Sequence, residues 1–127
     1  MAIELAHSDK RLVILVIEDE PMTRIVVSDF IAEAGFEALQ AANAETAIEI
    51  LESRDDIRAI FTDINMPGSM DGLKLAHAVR DRWPPIHIII TSAIPRIAKG
   101  DMPDGCLFFQ KPYNPRHIVG VLGSLAA

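Results

Sequence analysis

The sequence predicts an α/β protein, a doubly wound sheet of five parallel strands with helices on both faces. Three observations carry this. Leu12-Val-Ile-Leu-Val-Ile17 is an unbroken aliphatic run, as expected of a strand buried on both faces. Four more short apolar runs follow, at Phe36–Ala41, Ala59–Thr62, Ile86–Thr91 and Leu107–Gln110. Between most of them lie segments with apolar residues at helical spacing, bounded by residues that start or stop helices.

Taken in order, the first strand leads to Pro21, which suits an early helix position, and Val27, Phe30, Ile31 and Ala34 then recur on one face. Gly35 provides a left-handed stop. After the second strand, Asn43 caps a helix whose stripe is Ala44, Ala47, Ile48 and Leu51. The third strand runs directly into Asp63. Asp71 to Arg82 reads as a helix with Leu73, Ala76 and Val79 on one side, ended by Pro84-Pro85. Ser92 to Cys106 holds Pro95, Gly100, Pro103 and Gly105, so the fourth helix is expected to be short or irregular. From Pro115 a last helix places Ile118, Val121, Leu122 and Leu125 together.

Composition narrows the function classes. The chain has 127 residues, 50% of them hydrophobic and 24% charged, which suits one ordered domain with a core spanning about residues 11–126. Acidic residues outnumber basic ones 18 to 12, and no basic stripe suggests nucleic acid as a partner. Cys106 is the only cysteine, so no intramolecular disulfide forms. No run reaches the roughly 18 apolar residues of a membrane span, and Met1 to Lys10 lacks the pattern of a secretory signal. The expectation is a cytoplasmic protein, complete as one domain with no output domain attached.

In a parallel doubly wound sheet, ligands gather at the carboxyl ends of the strands. Glu18, Asp19 and Glu20 follow the first strand, Asp63 ends the third, Thr91 and Ser92 end the fourth, and Lys111-Pro112 follow the fifth. Each is unremarkable by itself: three acids make a solvated loop, an aspartate caps a turn, a lysine sits on the surface. Together they are chemically coherent. Carboxylates gathered at one edge repel unless a cation sits among them, and oxygen ligands favour Mg²⁺ or Mn²⁺. An aspartate can act as nucleophile and form an aspartyl phosphate. Lys111 and Thr91 then supply charge and a hydrogen bond to the phosphoryl group.

Five words carry a family resemblance: Ile14-Leu-Val-Ile-Glu-Asp-Glu-Pro21, Thr62-Asp-Ile-Asn-Met-Pro67, Met70-Asp-Gly-Leu73, Thr91-Ser92 and Lys111-Pro112. In this order and spacing the chain resembles the receiver domain of two-component response regulators, from Leu12 to the last helix. The resemblance implies a CheY-like, flavodoxin-like fold. It implies Asp63 as phosphoacceptor, and Glu18, Asp19, Asp63 and the backbone carbonyl of Asn65 as Mg²⁺ ligands. It further implies Thr91 and Lys111 as phosphate-binding residues, Phe108 as the switch aromatic, and a cis Lys111–Pro112 bond. The implied partners are a sensor histidine kinase or histidine phosphotransfer protein and a downstream protein target. Neither nucleic acid nor membrane is expected, and the chain should be a monomer or weak dimer. The only implied chemistry is its own phosphorylation and autodephosphorylation.

This chain departs from the family pattern at three places. Glu18 stands where many members carry aspartate; Gly68-Ser69 lengthens the loop beside the acceptor; and the Ser92–Cys106 stretch is rich in Pro and Gly. Other readings fit less well. An aspartyl-nucleophile phosphohydrolase needs a second aspartate two residues on as general acid, and that position is Asn65. A flavin carrier would place a phosphate loop where Glu18-Asp19-Glu20 repels phosphate. A receiver-like interaction module that is never phosphorylated would have no need of the acid, hydroxyl and lysine set.

Overall fold

The computed structural model describes residues 11–66, 70–93 and 101–126. The strands are β1 (Val13–Ile17), β2 (Glu37–Ala41), β3 (Ile57–Asp63), β4 (His87–Ser92) and β5 (Leu107–Gln110). The helices are α1 (Pro21–Glu33), α2 (Ala44–Ser53), α3 (Gly72–Arg82) and α4 (Pro115–Ala126). All strand pairs are parallel, in the order β2-β1-β3-β4-β5. The chain winds outward from β1 to β2, then crosses back to β3. That reversal opens a crevice at the carboxyl ends of β1 and β3. This is the flavodoxin-like, CheY-like fold.

Strand alternation divides the core between the two faces of the sheet. Leu15, Ile17, Ile60, Ile88 and Ile90 pack with Ala44, Ala47 and Leu51 of α2 and Leu75, Ala76 and Val79 of α3. Ile14, Val16, Ala59, Phe61 and Ile89 pack with Val27 and Ile31 of α1 and Ile118 and Leu122 of α4. β1 is buried along its whole length, as its unbroken aliphatic run requires. Neighbouring residues of one strand therefore serve opposite layers, and this parity decides which side chains can meet at the strand ends.

Local chemistry sets the helix ends. Glu20 caps α1, accepting from the Thr23 amide at 2.8 Å and its hydroxyl at 2.9 Å. Asn43 caps α2 through the Thr46 amide, and Asp71 caps α3 through the Lys74 amide. Gly35 takes φ +101° after α1, the left-handed conformation that its place as a helix stop demands.

Apart from shifts of one residue at element ends, three details differ from the sequence reading. Ala34, expected on the apolar face of α1, is its exposed C-cap residue. β3 begins at Ile57 rather than Ala59. Val13 pairs with Ile57, but Ile14 already pairs with Ala59, so a bulge at exposed Arg58 interrupts the apolar pattern. The buried stripe of α3 is Gly72, Leu75, Ala76 and Val79, with Leu73 on its flank. The spacing of three alone selected Leu73; the spacing of three and four together selects Leu75.

The lengthened loop at Gly68-Ser69 and most of the fourth-helix expectation fall outside the described residues. Residues 102–106 form no helix, and α3 holds the approach to β5. His77 Nε2 lies 2.7 Å from the Asp101 carbonyl, and Arg80 donates to the carbonyls of Asp104, Pro84 and Ile86. No described helix is long and apolar enough to cross a membrane.

Candidate phosphoryl-acceptor site

Strand parity assembles the site. Glu18, Asp63, Thr91 and Lys111 lie two residues beyond Val16, Phe61, Ile89 and Phe109, all of which face the α1/α4 layer. Their side chains therefore continue one row over the carboxyl edge of the sheet. Backbone pairing fixes their relative height. Asp63 and Thr91 are register partners, and Lys111 N–H donates to the Ser92 carbonyl at 2.8 Å. Glu18 N–H donates to the Ala41 carbonyl at 3.0 Å, and Arg24 Nη1 donates to the Glu18 carbonyl at 2.9 Å.

Carboxylate oxygens of Glu18, Asp19 and Asp63 lie within 4.8 Å of one another. Glu18 and Asp63 are only 6% and 8% exposed, so water screens their repulsion poorly. Among the described residues one ammonium faces them: Lys111 Nζ is 3.0 Å from Asp63 Oδ2 and 3.4 Å from Glu18 Oε1. Burial pushes the Glu18 carboxyl up, against the hydrogen bond from the Glu20 amide and the charge of Lys111, which pull it down. Burial pulls the Lys111 ammonium down, but its hydrogen bonds to Asp63 and Glu18 outweigh this and leave it raised. The Lys111 ammonium thus stays charged between the two carboxylates.

Among the described residues, three carboxylates face a single ammonium, which leaves the cluster short of positive charge. Hard oxygen donors in that arrangement fit a divalent cation of the Mg²⁺ or Mn²⁺ kind.

Sequence reading named Glu18, Asp19, Asp63, Thr91 and Lys111, and the fold brings these together at one edge. Asn65 is adjacent, its amide donating to Asp63 Oδ1 at 3.3 Å. Phe108 is not in the site; it is half-buried on the α2/α3 side of the sheet. The Lys111–Pro112 bond is cis.

Three residues were missed. Gly72 opens α3 directly beneath the acceptor loop, its amide donating to the Ile64 carbonyl at 2.9 Å. A Cβ at Gly72 would overlap the Asp63 carbonyl oxygen and come within 2.9 Å of the Ile64 Cα. Arg24 has no motif of its own, and its contact with the Glu18 carbonyl spans the β1–α1 turn. Tyr113, two beyond Lys111, packs edge-to-face on Phe61, with ring centroids 5.7 Å apart. The Asp-Gly pair of Met70-Asp-Gly-Leu73 was a usable signal for the first; nothing local pointed to the other two.

Comparison with known proteins agrees with this architecture. Residues 14–122 match the family model described as response regulator receiver domain. The chain is 27% identical over 112 residues to the response regulator protein FleR of Pseudomonas aeruginosa. It is 29% identical over 117 residues to a putative NtrX-like response regulator of Rickettsia bellii. Each alignment covers 86% of this chain but only 23% of the relative, so the chain spans about a quarter of their length. Among solved structures, TrrA of Thermotoga maritima in complex with Mg²⁺ and BeF superposes with a TM-score of 0.77 at 26% identity. That match covers 89% of this chain and 97% of TrrA. A receiver protein of Sinorhizobium medicae superposes at 0.82 and 23% identity, covering 91% and 94% of the two chains, a likeness of fold. With the family model covering nearly all of the sheet and its helices, the chain belongs to the response regulator receiver domain family.

Proposed function

We propose that this receiver domain accepts a phosphoryl group on Asp63 from a phosphohistidine, in a reaction that depends on Mg²⁺. The observation that carries this reading is the packing of the Glu18, Asp19 and Asp63 carboxylates within 4.8 Å of one another, with the Lys111 ammonium against Asp63 and Glu18. In this reading Glu18, Asp19, Asp63 and the Asn65 carbonyl hold the cation. Bound there, it neutralises charge between the carboxylates and the incoming phosphoryl oxygens.

The chain's own residues supply the rest. Asp63 presents a carboxylate oxygen as nucleophile at the end of a rigid buried strand. Lys111 releases Asp63 and takes a phosphoryl oxygen instead, exchanging one charged partner for another. Thr91, in register with Asp63 on the neighbouring strand, donates its hydroxyl to the phosphoryl group. The product is a mixed anhydride that stores the signal until water cleaves it. Phe108 answers from the opposite layer of β5. Output follows through phosphorylation-dependent protein contact or onward phosphate transfer in the cytoplasm, with the domain a monomer or weak dimer and neither nucleic acid nor membrane as target.

The test uses acetyl phosphate with and without Mg²⁺, followed by intact-mass measurement. The wild type should gain one phosphoryl group only with the cation, and Asp63→Asn should gain none. Equal labelling of the two proteins would overturn the assignment.

A further inference from the structure

Arg24 stands three and seven residues before Val27 and Ile31, at the head of the stripe that α1 lays on the sheet. It is half-buried, and its guanidinium rests on neutral acceptors. Nη1 donates to the Glu18 carbonyl at 2.9 Å, and Nε donates to Gln40 Oε1 at 3.3 Å. Gln40 is the β2 register partner of Val16, so it faces the same layer as α1. The peptide groups on both sides of Glu18 are therefore tied down. Its N–H bonds to the Ala41 carbonyl of β2, and its own carbonyl is held by Arg24, which reaches α1 and β2 at once.

The second tie matters most for Asp19. Asp63 has a donor on each carboxylate oxygen, the Asn65 amide and Lys111. Glu18 likewise has the Glu20 amide and Lys111. Asp19 has no amide or cationic donor of this kind among the described residues. Its side-chain partner is the Glu18 carboxylate, which repels it when both are ionised. The backbone before Asp19 must therefore place it, and the oxygen of the Glu18–Asp19 peptide is the one that Arg24 holds.

Resting on the reading of Glu18, Asp19 and Asp63 as a cation site, we propose that Arg24 is its positioning residue. Through the Glu18 carbonyl and Gln40 it fixes the β1–α1 turn, so that the Asp19 carboxylate stays beside those of Glu18 and Asp63. The sign of its effect separates this role from simple electrostatics. A guanidinium near three carboxylates repels an incoming cation, so loss of its charge alone would tighten binding. Loss of a positioning group weakens it, typically by roughly 10–100-fold.

The probe is Mg²⁺ alone, titrated into the protein by isothermal calorimetry, with thermal unfolding of the metal-free protein alongside. Arg24→Ala should raise the Mg²⁺ dissociation constant about tenfold. Arg24→Lys keeps the charge but lacks the fork that reaches two acceptors, and should recover only part of the loss. Gln40 is exposed on the edge strand β2, and Gln40→Ala leaves the charge of Arg24 in place. It should weaken binding about threefold, the order of one lost hydrogen bond. In the double variant with Arg24→Ala the two effects should not add, because both act through one side chain. Unchanged or tighter binding in folded Arg24→Ala overturns the proposal, even where its unfolding midpoint falls. Should that variant fail to fold, unchanged binding in Gln40→Ala overturns it alone. A wild type that binds no Mg²⁺ would instead refute the cation reading, so the two failures are distinguishable.

Discussion

Replacing Gly72 with alanine puts a methyl group where the Asp63 carbonyl oxygen already sits. The obstacles are backbone atoms, the Asp63 carbonyl carbon at 2.8 Å and the Ile64 Cα at 2.9 Å, so no side-chain rotation relieves the overlap. Overpacking of this kind costs about 1–3 kcal/mol, and a backbone obstacle belongs at the upper end. Alanine offsets roughly 0.4–1 kcal/mol by restricting the unfolded chain. The net loss is then about 2 kcal/mol. For a domain of this size that lowers the unfolding midpoint by roughly 6–10 °C. Gly120 and Gly123, both in α4, serve as controls, because a Cβ at either meets nothing within 4 Å. Alanine there should gain about 0.5–1 kcal/mol from helix propensity. Thermal and denaturant unfolding of the three variants decide the matter. A Gly72→Ala protein as stable as Gly120→Ala would refute the close approach of α3 to the acceptor strand.

Other expectations follow from the same geometry. Magnesium at ten times its dissociation constant should stabilise the domain by about 1.4 kcal/mol, and calorimetry should find this lost in Asp19→Asn. Lys111→Ala should lower stability by roughly 1–2 kcal/mol without added cation, because Asp63 and Glu18 lose their charged donor. Added magnesium should recover much of that loss in a chemical denaturation series. Burial holds the His87 imidazole below its ordinary value, helped by the charges of Arg58 and Arg80. The folded state thus binds that proton less readily than the unfolded chain. Stability should be full above about pH 6.5 and fall as pH drops from there toward the depressed folded value. His87→Gln should flatten that slope in unfolding curves collected between neutral and mildly acidic pH.

Much of this was legible before any coordinates. The β1 run could only be a strand buried on both faces, and it is buried at every position. Alternation then places Glu18, Asp63, Thr91 and Lys111 over the same layer, so the composition of the acceptor edge follows from strand parity. What stayed hidden depends on how elements approach one another. Leu73 lies on the flank of the stripe that α3 lays against the sheet, so an apolar residue at spacing three is not by itself a core residue. Gly72 is needed because that helix starts against the Asp63 backbone. Tyr113 meets Phe61 across 52 residues of chain, a pairing that local periodicity does not encode. The bulge at Arg58 hid the first two residues of β3 for a related reason, since one extra residue breaks the period of two.

The central claim is that Asp63 itself carries the phosphoryl group. Borohydride reduces an acyl phosphate to an alcohol, which converts a phosphorylated aspartate to homoserine. The domain should be phosphorylated with acetyl phosphate and Mg²⁺, reduced, digested and sequenced by mass spectrometry. Homoserine at position 63, absent without donor or cation, is the predicted result. Phosphate on a histidine, serine or threonine, or homoserine at Asp19 or another carboxylate, would contradict the account.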